Sequence, residues 1–410
     1  MSIWNQYLIR DIGKVVGGGT PATGISDYYD GTVPWITPKD LSSGEFKYIY
    51  RGERNISESG LENSSAKLLP KGTVLMTSRA PIGYLAIAAT NVTTNQGFKS
   101  IIPDTNYVLS EFLYYYLKSN IGYIKSLGVG TTFLEVSTRV VENVSISLPD
   151  LEYQTKVVQL LKSLDDQILL LKALNDNLDD QMKALFKRMF SPDVVEQHGK
   201  LGDFCDVQKG LSYKGSGLSD DEGALLINLG NIVPGGGYRK DKDKFYTGEY
   251  KEKNVVKPGD IIIANTDMTY DRIILGSPVL VPDYPGVILF THHLFAFRDV
   301  KLPVSFLYYY LRTDEFHSMC ESSANGTTVL AITRDDVLDA DIPLPTQSDL
   351  SLFDKAASKC LQLMATNERE ISRLSALRDN LLPRLMSGEI DVSSLELPTK
   401  YSFSGADAVD

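Results

Sequence analysis

The sequence predicts an α+β protein built twice over. Two similar α/β domains are each followed by one long helix, and the helices pair as an antiparallel coiled coil in a pseudo-two-fold internal duplication. Three observations carry this reading. The stretch GTTFLEVSTRVVENVSISLP from Gly130 recurs as GTTVLAITRDDVLDADIPLP from Gly326. Short β-branched and aromatic runs, broken by Gly, Pro, Asn and Asp, precede each copy, as in strands joined by turns. A 4-3 spacing of apolar residues follows each copy, the signature of a coiled-coil seam.

The repeat extends well upstream of these stretches. Tyr114-Tyr115-Tyr116-Leu117 matches Tyr308-Tyr309-Tyr310-Leu311, KGTVLMTS from Lys71 matches KPGDIIIAN from Lys257, and WITPKDLSSG from Trp35 matches LINLGNIVPGG from Leu226. RDIGKVVGG from Arg10 falls on GDFCDVQKG from Gly202. Offsets that drift by only a few residues mark one unit, copied whole, with small loop changes; a period this long is a duplicated domain and not a solenoid.

Each copy therefore divides in the same order. Residues 1–150 form the first domain and 151–192 a central helix; residues 199–345 form the second domain and 346–390 a C-terminal helix. Residues 391–410 lack periodicity and read as a disordered tail. Within the domains, VVGGGTP, GTVPWI and KGTVLMTSRAPIGYLAIAA, then LLINL, KPGDIIIANT and ILGSPVLVPDYPGVILF, read as strands and turns. SEFLYYYLKSN and VSFLYYYLRTDEF read as helices, and an alternating strand ending in Leu-Pro closes each domain.

The helices carry the sharpest signal. The seam of the first runs through Leu161, Leu164, Ile168, Leu171, Asn175, Leu178, Met182 and Leu185. The second continues it through Met364, Asn367, Ile371, Leu374 and Leu381, with Arg378 interrupting the pattern. A polar Asn at a seam position fixes register at some cost in stability. One long helix with an exposed apolar stripe is unstable alone, so two in one chain bury each other most economically, as rods of roughly 60 Å.

Length and composition bound the rest. A chain of 410 residues with 43% hydrophobic residues is enough for two to four folded domains. No apolar run is long enough to span a bilayer, and MSIWNQYLIRD lacks a signal-peptide pattern, so a cytoplasmic protein with no membrane partner is expected. Cys205, Cys320 and Cys360 are far apart and in no metal-ligand spacing, so they read as small buried side chains and no metal site is expected. The net charge is −11; residues 1–150 carry 13 basic and 13 acidic side chains, and residues 199–345 carry 15 and 21. Any contact with DNA must then rely on one local face or on a partner.

The order of a Gly-rich opening, PWI, KDL, TSRAPIG, NQGFK, a Tyr-rich helix, GTT and LP, then a heptad helix ending in LFKRMF or LLPRLMSG, resembles the specificity subunit of Type I restriction-modification systems. The resemblance covers residues 8–390 and implies two target-recognition domains. Each reads one half of a split site on double-stranded DNA. The helices act as a ruler and as a dock for two modification (methyltransferase) subunits and for restriction/translocase subunits. It also implies a non-catalytic chain with no cofactor of its own: S-adenosylmethionine, and ATP with Mg, belong to the partners. The sequence holds no GxxxxGK[ST] loop, no NPP[FY] or DPP[FY] motif and no PD…ExK pattern. A non-catalytic coiled-coil scaffold, and an inactive or shufflable specificity subunit, are the alternative readings.

Candidate DNA-binding residues follow from side-chain chemistry. In TNQGFK, Asn95 and Gln96 are suited to adenine and Lys99 to phosphate or guanine, or else they close a turn between strands. Lys39 in the PKDL turn is a further candidate. Arg79 in TSRAPIG reads either as a DNA contact or as half of an intradomain salt bridge. Its counterpart stretch contains Asn265, Thr266 and Arg272 and differs in nearly every side chain, as two different half-site readers require. His292 and His293 lie in the run ILFTHHLFAFR, where alternation sends one ring inward and one outward, with Arg298 near the end of the run. Thr131, Thr132, Thr327 and Thr328 in the GTT pairs bind phosphate, or the preceding Gly simply supplies a positive φ. The Tyr triplets read as packing, and the Gly triplets at 17–19 and 235–237 as flexible loops.

Overall fold

The computed structural model describes residues 4–42, 47–130, 134–268, 273–326 and 329–395. The chain divides into two compact units: Met1–Leu170 with Ile371–Asp410, and Leu171–Glu370. The division falls inside the helices, so each unit holds one α/β region and a part of each long helix.

In the first unit, the chain enters as strand Asn5–Leu8 and leaves as strand Ser145–Leu148, the two pairing antiparallel. Between them stand two sheets. One orders its strands Gly13–Gly17, Lys99–Pro103, Val74–Ser78, Ile82–Ala88 and Tyr48–Ile49; the other orders Arg54–Ile56, Tyr29–Ile36 and Thr93–Thr94. Their inner faces and helix Ser110–Ser119 bury Phe98, Phe112 and Tyr115 completely.

The second unit repeats this plan. His198–Lys200 pairs antiparallel with Asp341–Pro343. One sheet orders Asp206–Lys209, Leu294–Arg298, Ile261–Ala264 and Pro278–Leu280, and the other is built around Ala224–Ile227 and Ile288–Phe290, which pair in parallel. The equivalent parallel pair in the first unit is Tyr29–Ile36 with Thr93–Thr94. An antiparallel sheet can alternate freely between buried and exposed faces, but a parallel pair needs cover on both faces, which explains the uniformly buried run Ala224–Ile227.

The long helices span Leu151–Phe190 and Gln347–Met386. In the first unit the seam residues Leu161, Leu164, Ile168, Ile371 and Leu374 are buried and Leu381 is half-buried. In the second, Asn175, Met182 and Asn367 are buried, while Leu171, Leu178, Leu185 and Met364 are half-buried. Contacts run antiparallel: Arg378 Nη1 meets Asp165 Oδ1 at 3.0 Å, and Tyr153 donates to Ile390 O, just past the second helix, at 2.8 Å, residue numbers rising along the first helix as they fall along the second and the segment after it. The irregular Arg378 thus has a carboxylate waiting for it. In the second unit Phe186, Phe190, Phe306 and Phe353 pack edge-on or tilted, with centroids 5.1–5.4 Å apart across the helix–domain contacts.

Several local expectations are corrected. Val392, assigned by pattern to the tail, is fully buried against the first unit's core, because Tyr153 and Lys156 hold the backbone at Ile390 and Ser393; residues 396–410 lie outside the described residues. The run VSFLYYYLRTDEF is two helices, because Thr313 accepts a hydrogen bond from Phe316 N and so caps a new helix, Asp314–Ser323. A short helix also precedes each closing strand, capped by Ser137 and Thr333. The first Gly triplet is no loose loop. A Cβ on Gly18 would sit 1.9 Å from Asn95 O, and one on Gly19 2.2 Å from Ala66 N, so only glycine allows these backbones to touch.

The Tyr triplets are packing residues, as their helical spacing suggests. Tyr114, Tyr115, Tyr308, Tyr309 and Tyr310 are buried. The middle ring of each triplet reaches a carboxylate on the first long helix: Tyr115 donates to Asp165, and Tyr309 to Asp179. Cys205 and Cys320 are buried, which pushes each thiol up to about 12, and Cys360 is half-buried. Among the described residues no helix is long and apolar enough to cross a membrane.

Candidate nucleic-acid interface

Three separated motifs converge in each unit on one backbone frame. In the first unit, strand Val74–Ser78 ends where Ser78 N donates to Gly97 O at 2.7 Å and Ser78 O accepts from Val136 N at 3.0 Å. Val129 and Glu135 exchange two backbone hydrogen bonds, closing a loop that contains the GTT segment. TSRAPIG, NQGFK and the residues Val129, Glu135 and Val136 that flank the GTT segment thus share a corner.

The second unit repeats the frame bond for bond. Asn265 N donates to His293 O at 3.0 Å, Asn265 O accepts from Ile332 N at 3.0 Å, and Asn325 and Ala331 exchange the pair that closes the second loop. Further back, Asn95 N donates to Ile36 O as Thr291 N donates to Ile227 O. These bonds set the equivalences: Ser78 with Asn265, Arg79 with Thr266, Gln96 with His292, Gly97 with His293, and Glu135 with Ala331. Strand register adds Lys99 with Phe295, opposite Gly17 and Lys209 respectively.

At the positions just paired as equivalent, Ser78 to Glu135 and Asn265 to Ala331, the side chains differ. In the first unit Lys99, 12% exposed, places Nζ 3.1 Å from Glu135 Oε1. Arg79, 37% exposed, approaches Glu135 Oε2 less closely, at 3.7 Å. Glu135 therefore holds two of the cations that the sequence offers for DNA. The Asn95 side chain accepts from Gly97 N at 2.9 Å and closes the turn, while the exposed Gln96 meets Thr20 Oγ1.

In the second unit Thr266, Phe295 and Ala331 take the places of Arg79, Lys99 and Glu135. Asn265 is buried and donates Nδ2 to His292 O at 3.2 Å; Thr266 Oγ1 and His293 Nδ1 are 2.8 Å apart. The expectation that the two histidines alternate in and out fails. Leu294 N donates to Thr291 O, so the chain turns between Ile288–Phe290 and Leu294–Arg298, which belong to different sheets. Both rings are consequently half-exposed and lie tilted against each other, with centroids 4.0 Å apart and planes 39° apart. Burial first, then the neighbouring His292 and Lys209, lowers the pKa of His293 and favours its neutral form. Asn265 Oδ1, Thr291 Oγ1 and His292 Nδ1 are buried at this corner without a hydrogen-bond partner among the described residues.

The remaining candidates lie apart from these corners. Lys39 is exposed and pairs with Glu53 at 2.7 Å, the contact that raises its pKa. Arg298 is turned into its own unit, with Nη1 3.2 Å from Asp260 Oδ2 and Nη2 donating to Val255 O at 2.7 Å. Gly326 has φ +131, and a Cβ there would sit 2.1 Å from Val329 O, so a positive φ is required at the start of the second GTT loop; Gly130 has φ +150. Thr131, Thr132, Arg272, Thr327 and Thr328 lie outside the described residues. Glu135 is the residue that motif reading overlooks. Its signal was available in the repeat, where Glu135 faces Ala331 in otherwise similar stretches.

A frame kept twice, bond for bond, with different side chains at the same positions is the construction of a duplicated recognition module. Known proteins agree. A family model for the Type I restriction modification DNA specificity domain matches residues 1–180. The Type I restriction enzyme MjaIX specificity subunit of Methanocaldococcus jannaschii is 33% identical over 413 residues, which cover 96% of this chain and 94% of that protein. The MjaVIII specificity subunit of the same organism is 22% identical over 423 residues, again 96% and 94% of the two chains. The solved S subunit of a Type I restriction-modification system from M. genitalium shares the fold, with a TM-score of 0.56 at 17% identity over 94% of this chain and 96% of that one. The chain belongs to the family of Type I restriction enzyme specificity subunits.

Proposed function

We propose that this chain is the DNA sequence-specificity subunit of a Type I restriction-modification complex and recognises a bipartite site. The α/β region of residues 1–150 reads one half and that of residues 199–345 the other. The observation that carries this reading is the repeated backbone frame with unlike side chains at equivalent positions: Arg79, Gln96 and Lys99 on one copy, Thr266, His292 and Phe295 on the other. A common frame presents both copies to DNA in the same pose, and different side chains there select different bases.

The chain contributes no reacting group in this proposal. Two modification subunits dock along the long helices and bring S-adenosylmethionine; restriction subunits bring ATP and Mg. The complex works in the cytoplasm on double-stranded DNA. Because no segment of the chain is basic, phosphate neutralisation comes mainly from these partners. Sequencing the methylated bases of a strain expressing the chain with its modification partner tests the reading. A split methylated motif with a fixed spacer supports it. An uninterrupted motif, or methylation that does not depend on this chain, rules it out.

A further inference from the structure

We infer that Glu135 is a specificity-determining residue of the first recognition unit, acting as a resident counter-ion that Arg79 leaves only for a matching DNA acceptor. The inference rests on the DNA-reading role proposed above and deepens it. Glu135 is placed by backbone, not by chance: its N and O both bond Val129, and the adjoining Val136 N is tied to Ser78 O. Its part-exposed carboxylate is held beside Arg79 by the ion pairs with Arg79 and Lys99, so DNA approaching Arg79 meets it.

The two cations it holds are not equivalent. Lys99 is nearly buried, within 3.1 Å of Glu135 and 3.4 Å of Ser78 Oγ, and so belongs to the frame. Arg79 is the exposed member, 3.7 Å away at the loosest contact of the three. When Arg79 swings toward a guanine edge or a phosphate, Lys99 still neutralises Glu135. When the sequence offers Arg79 no good acceptor, Arg79 stays on Glu135 and the bound duplex goes without that contact, so the retained ion pair sets the wrong partner apart from the right one. In the second unit the same three places hold Thr266, Phe295 and Ala331, which have no charge to exchange. The device belongs to one half-site alone.

The test uses the full chain assembled with its modification partner, and competition binding to three duplexes: the methylated motif, and the motif with either half scrambled. Glu135→Gln should bind the duplex lacking the first unit's half-site about tenfold tighter than the wild type, the size of one lost mismatch penalty. Its salt dependence should steepen by about one unit of log–log slope. Discrimination at the other half should not change. Arg79→Gln, a change at a part-exposed site, should lose first-half discrimination by weakening cognate binding instead, and it tests the same pair if Glu135→Gln melts at a clearly lower temperature. Unchanged first-half discrimination in both variants, or equal changes at both halves, overturns the inference. A wild-type complex that prefers none of the three duplexes would instead sink the DNA-reading role itself.

Discussion

Asn367 donates its side-chain Nδ2–H to Asn175 Oδ1 at 2.7 Å, joining the two long helices within the second unit through side chains that are each 6% exposed. Asn175 in turn donates to Glu368 Oε1 at 3.1 Å and Met364 O at 3.3 Å, so the buried amides are satisfied. Such a pair fixes which residues face each other, because any slip along the seam strands both amides among leucines. Asn175→Leu should lower stability in denaturant by about 1–3 kcal/mol, the cost of leaving Asn367 unpaired. Asn175→Leu with Asn367→Leu should recover that loss. A double variant no more stable than the single would refute the pairing argument.

The Arg312–Asp179 pair is a second lock. Arg312 follows the Tyr helix of the second domain, and its guanidinium meets both carboxylate oxygens of Asp179 on the long helix, at 2.5 and 2.8 Å, with exposures of 5% and 13%. Burial alone raises the Asp179 pKa, but Arg312 and Lys183 outweigh it and hold it below the ordinary value. Arg312→Met should cost about 1–3 kcal/mol, since it leaves the nearly buried carboxylate with only Lys183 and Tyr309 as partners. Adding Asp179→Leu should restore most of it. Chemical denaturation of the three variants measures both effects.

The histidine corner predicts a pH dependence. His293 has a lowered pKa when folded, chiefly through burial, so the unfolded chain takes up its proton first as pH falls through the ordinary histidine value of 6.5. Its contribution to stability is therefore complete above that value and lost progressively below it. Melting temperatures followed from pH 8 to pH 5 should fall less steeply for His293→Gln than for the wild type. Identical slopes would show that His293 does not titrate in this window.

Gly326 offers a local test. With φ +131 and Val329 O only 2.1 Å from where a Cβ would stand, Gly326→Ala must distort the second GTT loop. About 1–3 kcal/mol of backbone strain is expected, felt first by the paired hydrogen bonds of Asn325 and Ala331. Amide exchange at Ala331 should accelerate while exchange at Ile262, in the central strand, stays unchanged.

The helices were legible because a 3.5-residue period over many turns has no competing explanation, and even the odd Arg378 proves to have a partner in Asp165. The duplicated domains were legible from the repeat. The corners were not, because they are made by contacts distant in sequence: Lys99 and Glu135 are 36 residues apart, and no periodicity links them. The alternation rule failed at His292 and His293 because it assumes one continuous strand, and a backbone turn at Thr291 separates two sheets there. Side-chain identity suggested cations for DNA, and the repeat marked Glu135 against Ala331, but that Glu135 pairs with Arg79 and Lys99 emerged only with the fold.

Exchange of residues 1–150 for the corresponding region of another specificity subunit, followed by sequencing of methylated DNA from cells carrying the hybrid complex, tests the central claim most directly. Two independent readers on one repeated frame predict a new motif in which one half-site has changed while the other half is retained. A motif changed in both halves, or in neither, would contradict the account.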